Sequence, residues 1–280
     1  MNKMERNLDE MSTAGILKLI NNEDSKIHKA VKKCLPEIEK AVSIIVSSLK
    51  NNGTLYYIGA GTSGRLGVLD SSEIWPTFGS KHVKAIIAGG EKAVTGSVEG
   101  AEDDIKNARK VILKNVKKGD VVLGIAASGN TPFTAEALEE ARRIGCKTIG
   151  LVCNRNTKIK KIADLCIEAV VGDEIIKGST RMKAGTATKL ILNQISTATM
   201  IKLGKVYGNL MIDIQPTNAK LKKRAVSILE KITGIENEKV LEEAGWNIKV
   251  AAVMINKKVS KNKAVEILEK NYWDLRSTIS

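Results

Sequence analysis

The stretch from Tyr56 to Gly79, YYIGAGTSGRLGVLDSSEIWPTFG, constrains this chain more than any other. The run Thr54 to Ile58 is β-branched and aromatic, which predicts a buried strand. GAGTSG then interrupts it, and Gly59, Gly61 and Gly64 permit a tight turn and close approach of a ligand to the backbone. A helical pattern follows through Leu66 and Leu69. Strand, glycine-rich turn and helix in that order aim free backbone N–H groups and the positive helix end at an anion.

Two familiar phosphate-binding patterns fit poorly. GAGTSG satisfies G-x-G-x-x-G, a weak signature by itself. Thr62 and Ser63 fill the turn with hydroxyls where a dinucleotide fingerprint leaves small apolar residues to pass a pyrophosphate. No acidic residue clearly ends the next strand, because VKAIIAGG reaches Glu91 only after two glycines, and a P-loop lysine is missing. A Thr/Ser-lined turn suits a phosphate monoester, as on a sugar phosphate. The competing reading is a turn with no ligand.

From Thr54 onward the pattern alternates. Apolar runs at 54–58, 83–88, 121–126, 148–153 and 165–171 are strand candidates, and helical patterns at 63–72, 101–116 and 132–144 separate most of them. Short apolar runs joined by helices predict an α/β fold with a parallel sheet sandwiched by helices. Ligands of such sheets collect at the carboxyl ends of the strands. Three Ser/Thr-rich turns follow candidate strands there: GTSGR (61–65), ASGNT (127–131) and GSTRMKAGT (178–186), the last leading into a helix at 187–203. Together they predict one shared phosphate pocket built from Thr62, Ser63, Ser128, Asn130, Thr131 and Ser179. Lys183 is the charge partner of a phosphate or carboxylate, with Arg65 and Arg181 less specific; helix capping and turn formation are the alternative roles for all of them.

Residues 1–50 read as a helical arm of the kind that packs across a partner subunit. Ser12 or Thr13 caps a short helix, and Pro36 kinks or restarts a longer pattern that begins at Asp24. Residues 51–215 then form the sheet domain and 216–280 a small helical module. Inside that module Leu241, Trp246 and Ile248 align with Leu268, Trp273 and Leu275 at a spacing of about 27 residues, a weak repeat whose tryptophans read as core anchors.

Composition excludes several classes. The chain has 280 residues, 43% of them hydrophobic, enough for one large domain or two. Its formal charge of +14 raises a nucleic-acid reading, but aromatics are only 3% and Lys and Arg alternate with acids apart from short clusters. A solvated lysine-rich surface that favours anionic substrates accounts for the charge. The polar start MNKMERNLDEMS predicts no signal peptide, and no apolar run nears the roughly 20 residues of a membrane span. Cys34, Cys146, Cys153 and Cys166 lack C-x-x-C spacing and only His28 and His82 are present, so no metal site is expected. Cys146, Cys153 and Cys166 read as core residues of a protein in a reducing compartment.

GAGTSGRLGVLDSSE, VEGAED (98–103), IAASGNTPF (125–133) and GSTRMKAGTATK (178–189), in order and over nearly the whole chain, resemble the N-acetylmuramic acid 6-phosphate etherases, a family built on the sugar isomerase (SIS) fold. The resemblance implies a cytoplasmic homodimer of cell-wall recycling. It would act without metal or redox cofactor, membrane or nucleic acid, and cleave the D-lactyl ether of N-acetylmuramate 6-phosphate to N-acetylglucosamine 6-phosphate and D-lactate. It also implies an elimination: the C1 aldehyde of the open sugar acidifies C2–H, lactate leaves C3, and water adds back. Glu73 and Glu102 match the family's two functional glutamates, Glu73 as acid to the ether oxygen and Glu102 as base to C2–H. An acid that donates near neutrality needs an apolar setting or a neighbouring carboxylate, and Trp75 and Phe78 are candidates for such a wall. Spacing alone leaves Glu99, Glu102 and Asp103 as ordinary helix N-terminal acids. One departure is visible: the family often has Cys-Pro or Pro-Pro after the first glutamate, where this chain has Ile74-Trp75-Pro76. The rival readings are an SIS aldose–ketose isomerase and a sugar-phosphate-sensing regulator like the glucokinase regulatory protein, neither of which needs an ether-protonating acid.

Overall fold

The structure, a computed structural model, describes residues 7–279; residues 1–6, the polar start of the arm, and Ser280 lie outside the described residues. A 3-10 turn (Leu8–Glu10) precedes α1 (Thr13–Asp24), α2 (Ile27–Lys33) and α3 (Leu35–Lys50). Ser12 is the cap of α1, its hydroxyl accepting from the Gly15 amide. Pro36 restarts the chain in the first turn of α3, where its missing N–H costs no helical bond.

Next come β1 (Leu55–Gly59), α4 (Gly61–Phe78), β2 (Val83–Ile87), α5 (Lys92–Thr95), a 3-10 turn (Ala101–Asp103) and α6 (Ile105–Asn115). They are followed by β3 (Val121–Ile125), α7 (Pro132–Arg143), β4 (Lys147–Val152), α8 (Lys158–Ile162), β5 (Leu165–Glu168) and α9 (Lys183–Lys202). The five expected apolar runs all form strands, paired parallel in the order β2-β1-β3-β4-β5. Three expected helices change their bounds, and the last expected strand, 165–171, ends at Glu168. The helix after β1 runs on to Phe78 and contains Pro76, with Ile74 and Phe78 buried one turn apart. The expected helix 101–116 begins as the 3-10 turn and becomes α6 only after Asp104 accepts from the Asn107 amide as N-cap. The expected helix 187–203 starts four residues early, at Lys183.

Strand alternation divides the core of this region. Tyr56, Ile58, Val122 and Val152 face α6, α7 and α8, where Ile112, Phe133, Leu138 and Ile159 close a buried cluster. Leu55 and Tyr57 turn the other way. There Gly67 lets α4 approach until a methyl at that position would lie 3.0 Å from Tyr57 Cβ and 3.3 Å from Ile125 Cδ1.

Compactness divides the chain differently from the expected segments 1–50, 51–215 and 216–280. One unit comprises 1–71 and 82–195, the other 72–81 and 196–280. The arm joins the first unit because the α3 face bearing Ile38, Ala41, Val42 and Ile45 packs on β1, β3 and β5. The second unit takes in the hairpin β6 (Val206–Tyr207) and β7 (Leu210–Met211), because Ile212 and Ile214 behind it enter the core of the helical module.

That module holds α10 (Ala219–Thr233), α11 (Glu238–Glu243), α12 (Ile248–Lys257), α13 (Lys261–Lys270) and α14 (Leu275–Ile279). The sequence repeat is a structural one. Leu241, Ile248, Leu268 and Leu275 are buried in one cluster, and Trp246 and Trp273 pack partly buried against it. Each Trp closes the preceding helix in the left-handed region, at φ 62° and 58°, with its amide 2.7 Å from the carbonyl of Leu241 or Leu268. A bulky residue at positive φ is unusual, and two at equivalent places mark one helix-closing device used twice. Asn247 and Asp274, one residue on, each accept from an amide two or three residues ahead. Lys249, 2% exposed, bridges Asp213 (2.9 Å) and the Trp273 carbonyl (3.0 Å), so the second repeat is tied to the segment after β7.

Candidate functional site

In a doubly wound sheet of order 2-1-3-4-5, ligands gather outside the carboxyl ends of β1 and β3, where strand order reverses. Gly59 and Ile125 end those two strands in register. GTSGR leaves the first and ASGNT follows the second, so topology places both hydroxyl-rich turns at one crevice.

The first turn is the opening of α4 itself. Gly59 and Gly64 serve backbone packing: a methyl on Gly64 would lie 2.7 Å from the Gly59 oxygen and 2.6 Å from Ile87 Cγ1. Gly61 alone supplies a left-handed turn, at φ 52° with open space beside it. The amides of Gly61, Thr62 and Ser63 precede the helical ladder and have no intrahelical acceptor. Among the described residues the Thr62 and Ser63 side chains, both half-buried, have no hydrogen-bond partner. Arg65, by contrast, donates from Nε to the Val94 carbonyl (3.1 Å) and from Nη2 to the Gly96 carbonyl. It fastens the loop that leads to Glu102 and is occupied there.

The second turn is more structural. Gly129 sits at φ 70° against Thr157. The Asn130 amide donates to the Ser128 hydroxyl (3.2 Å), and Asn130 Oδ1 accepts from the Lys158 amide (2.9 Å). Asn130 therefore holds the loop after β4. Thr131 occupies the N-cap of α7 without making the side-chain cap bond, and its hydroxyl stays open.

The third turn differs again. α9 approaches α4 closely, since a methyl on Gly185 would lie 3.7 Å from Thr62 Cγ2. Asn193 of α9 donates to Asp70 Oδ1 (2.7 Å), and the Tyr57 hydroxyl donates to Asp70 Oδ2 (3.0 Å), joining α9, α4 and β1. Yet the first amides of α9, Lys183 and Ala184, donate to the buried Glu174 carboxylate at 3.1 and 2.9 Å. Lys183, expected as the charge partner of substrate, is 3% exposed and its ammonium meets Glu23 of α1 at 2.8 Å. Lys183 and Lys26 hold the Glu23 carboxyl below the usual carboxylate range. Ser179 is half-buried and Arg181 exposed beside this self-satisfied helix end.

Glu102 lies exposed in the 3-10 turn, an element that follows Gly100 at φ 69° and contacts α7. Asp104 takes the capping role at α6, so Glu102 is not the helix-capping acid. Glu73 lies inside α4, on the 72–81 stretch that belongs to the second unit, and is also exposed. Among the described residues neither carboxylate has an ion-pair or hydrogen-bond partner. The apolar wall expected around Glu73 is incomplete: Phe78 is buried, whereas Trp75 is 40% exposed with the Lys81 ammonium 4.6 Å above its ring. Both residues project from helix faces that the chain's own packing leaves open. The thiols are inert: burial pushes Cys34 and Cys146 up to about 11 and Cys153 and Cys166 up to about 12.

Residues 37–142 match the family described as glucokinase regulatory protein N-terminal SIS domain, and 97–198 match the SIS domain. N-acetylmuramic acid 6-phosphate etherase of Clostridium acetobutylicum is 53% identical over 94% of this chain and 89% of its own. The enzyme of that name from Caldanaerobacter subterraneus is 48% identical over 94% and 88%, and Bacillus licheniformis etherase 1 is 47% identical over 100% and 94%. The chain belongs to the N-acetylmuramic acid 6-phosphate etherase family. The SIS-type fold of this etherase-family chain recurs in a phosphoheptose isomerase from Francisella tularensis, with TM-score 0.55, 21% identity, 68% of this chain and 100% of that one. A phosphoheptose isomerase from Neisseria gonorrhoeae gives TM-score 0.50 at 18% identity, over 66% and 96%. The etherase-family motifs locate the turns. Glu23, Glu174, Asp70 and Asn193 escape sequence reading because each meets its partner through the fold, and no local spacing marks them.

Proposed function

We propose that this chain cleaves the D-lactyl ether of N-acetylmuramate 6-phosphate, giving N-acetylglucosamine 6-phosphate and D-lactate, in the recycling of cell-wall amino sugar. The observation that carries this reading is the pair of hydroxyl-rich turns at the ends of β1 and β3 in a chain of the etherase family. In this reading the phosphate sits on the open amides of α4 with Thr62, Ser63, Ser128 and Thr131 as hydroxyl donors. Asn130 shapes its turn, and Ser179 borders the pocket. Lys183 acts through its pairing with Glu23, keeping the start of α9 beside Thr62.

The chemistry needs one base and one acid. The Glu102 carboxylate takes the C2 proton of the open-chain aldehyde. The electron pair forms the C2–C3 double bond, the C3–O bond breaks, and protonated Glu73 gives its proton to the departing lactate oxygen. Water then adds at C3, losing a proton to Glu73 while Glu102 returns one to C2. The exposed faces bearing Glu73 and Glu102 are then closed by substrate and by a second copy of the chain, as a homodimer. Four protonated thiols suit the reducing cytoplasm.

Incubation with N-acetylmuramate 6-phosphate in deuterated water tests the reading. D-lactate release with deuterium at C2 of the N-acetylglucosamine 6-phosphate is the expected result. Aldose–ketose interconversion without lactate would assign an isomerase, and saturable binding without turnover would assign a sensor. Either outcome sinks the etherase reading.

A further inference from the structure

We propose that the open cavity between α2, the start of α3 and the loops after β4 and β5 is a second anion site, which takes a small polyanion carrying two phosphate groups. The cavity holds about 820 Å³, within the range of about 300–1,000 Å³ typical of small-ligand sites. Lys26, Lys29, Lys33, Arg155 and Lys160 line it, against the carboxylates of Glu37 and Glu168. Two of these cations are already engaged, Lys26 by Glu23 and Lys160 by Glu168. Among the described residues Lys29, Lys33 and Arg155 have no ion-pair or hydrogen-bond partner.

Lys29 and Lys33 lie one turn apart on α2, a spacing at which like charges repel. Arg155 faces the same space from the loop after β4. An anion between them converts that repulsion into attraction, and three cations on two separate elements fit two anionic groups better than one. The arginine adds a fork suited to phosphate oxygens. The floor is apolar, with Ala30, Cys34 and Val171 buried, so a ring or ribose has a surface to lie on. Burial keeps the Cys34 thiol protonated, so it adds no charge against an anion. The site lies beyond β4 and β5, whereas the open hydroxyl turns follow β1 and β3. Its occupancy therefore does not depend on the etherase activity.

Titration of the full chain with inorganic pyrophosphate, followed by calorimetry at fixed ionic strength, tests the site. The expected result is saturable binding that weakens at least tenfold in the Lys29→Glu/Lys33→Glu variant and in Arg155→Ala. It should stay within about twofold in Thr62→Ala/Ser63→Ala, since those residues belong to the other pocket. Lactate release by the lysine variant without added pyrophosphate should match the unsubstituted chain. If the lysine variant does not fold, as judged by its melting curve, Arg155→Ala decides. No saturable binding, or binding lost in the Thr62/Ser63 variant and retained in the others, overturns the proposal. ADP and a hexose bisphosphate, titrated in parallel, separate a nucleotide from a sugar as the source of the two phosphates.

Discussion

The opening of α4 and the opening of α9 carry the same kinds of residue and reach opposite states. Both are helix N-termini preceded by glycine and lined with Ser and Thr, and Gly185 of one lies against Thr62 of the other. At α4 the first amides have no intrahelical acceptor, and among the described residues the half-buried Thr62 and Ser63 side chains have no hydrogen-bond partner. At α9 the equivalent amides are bound by Glu174, and the buried Lys183 is bound by Glu23. A helix N-terminus attracts an anion in either case. The protein supplies its own anion at α9 and none at α4. One helix start is a fixed part of the frame, and in the proposed function the other is the receptor.

If the open end of α4 receives the substrate phosphate, the two carboxylates must do the chemistry, and Glu73→Gln or Glu102→Gln should fold normally and lose roughly 10²-fold or more in turnover. Near-normal lactate release from either variant removes that residue from the mechanism. At α9 the effect should fall on stability. Lys183→Met leaves Glu23 without its buried partner and should cost about 3–5 kcal/mol in chemical denaturation, while adding Glu23→Gln should restore much of that loss. Thr131→Ala, at the open turns, should raise KM by roughly 10–100-fold, the value of about 1.5–3 kcal/mol for a hydrogen bond to a charged group. Ser179→Ala, beside the satisfied helix, should change KM by less than about threefold; an equal effect at both positions would erase the difference between the two helix starts.

Acid unfolding gives the smallest effect. Lys183 and Lys26 lower the Glu23 carboxyl from its ordinary 4.5, so this group's contribution is complete above 4.5 and is lost as pH falls through the lower folded-state value. Between pH 5 and pH 3, roughly, stability should decline less steeply in Lys183→Met than in the unsubstituted chain. Equal slopes would show that the pair does not carry that linkage.

Reading the sequence went furthest where the signal is local. The five strands, the Ser12 cap, the restart at Pro36 and the repeat around Trp246 and Trp273 each rest on a few neighbouring residues. It fell short where distant groups meet. The helical pattern after β1 reads only to 72, yet Ile74 and Phe78 are buried beyond it and α4 continues through Pro76 to Phe78. Arg65 looks available to a phosphate until the Val94 and Gly96 carbonyls are brought to it. Asn130 and Lys183 carry suitable chemistry, and the fold engages both elsewhere, with the Lys158 amide and with Glu23. The left-handed backbone at both tryptophans is likewise invisible in a sequence that offers no glycine there.

The amino-acid order by itself determined the periodicities of strand and helix, and hence a parallel α/β sheet whose hydroxyl turns fall at one edge, because those depend on side-chain alternation over a few residues. Tertiary structure alone decided which polar groups are spent on the protein and which are left for a ligand. The reason is that a buried charge or amide must find a partner, and Glu174 and Glu23 reach theirs from 9 and 160 residues away.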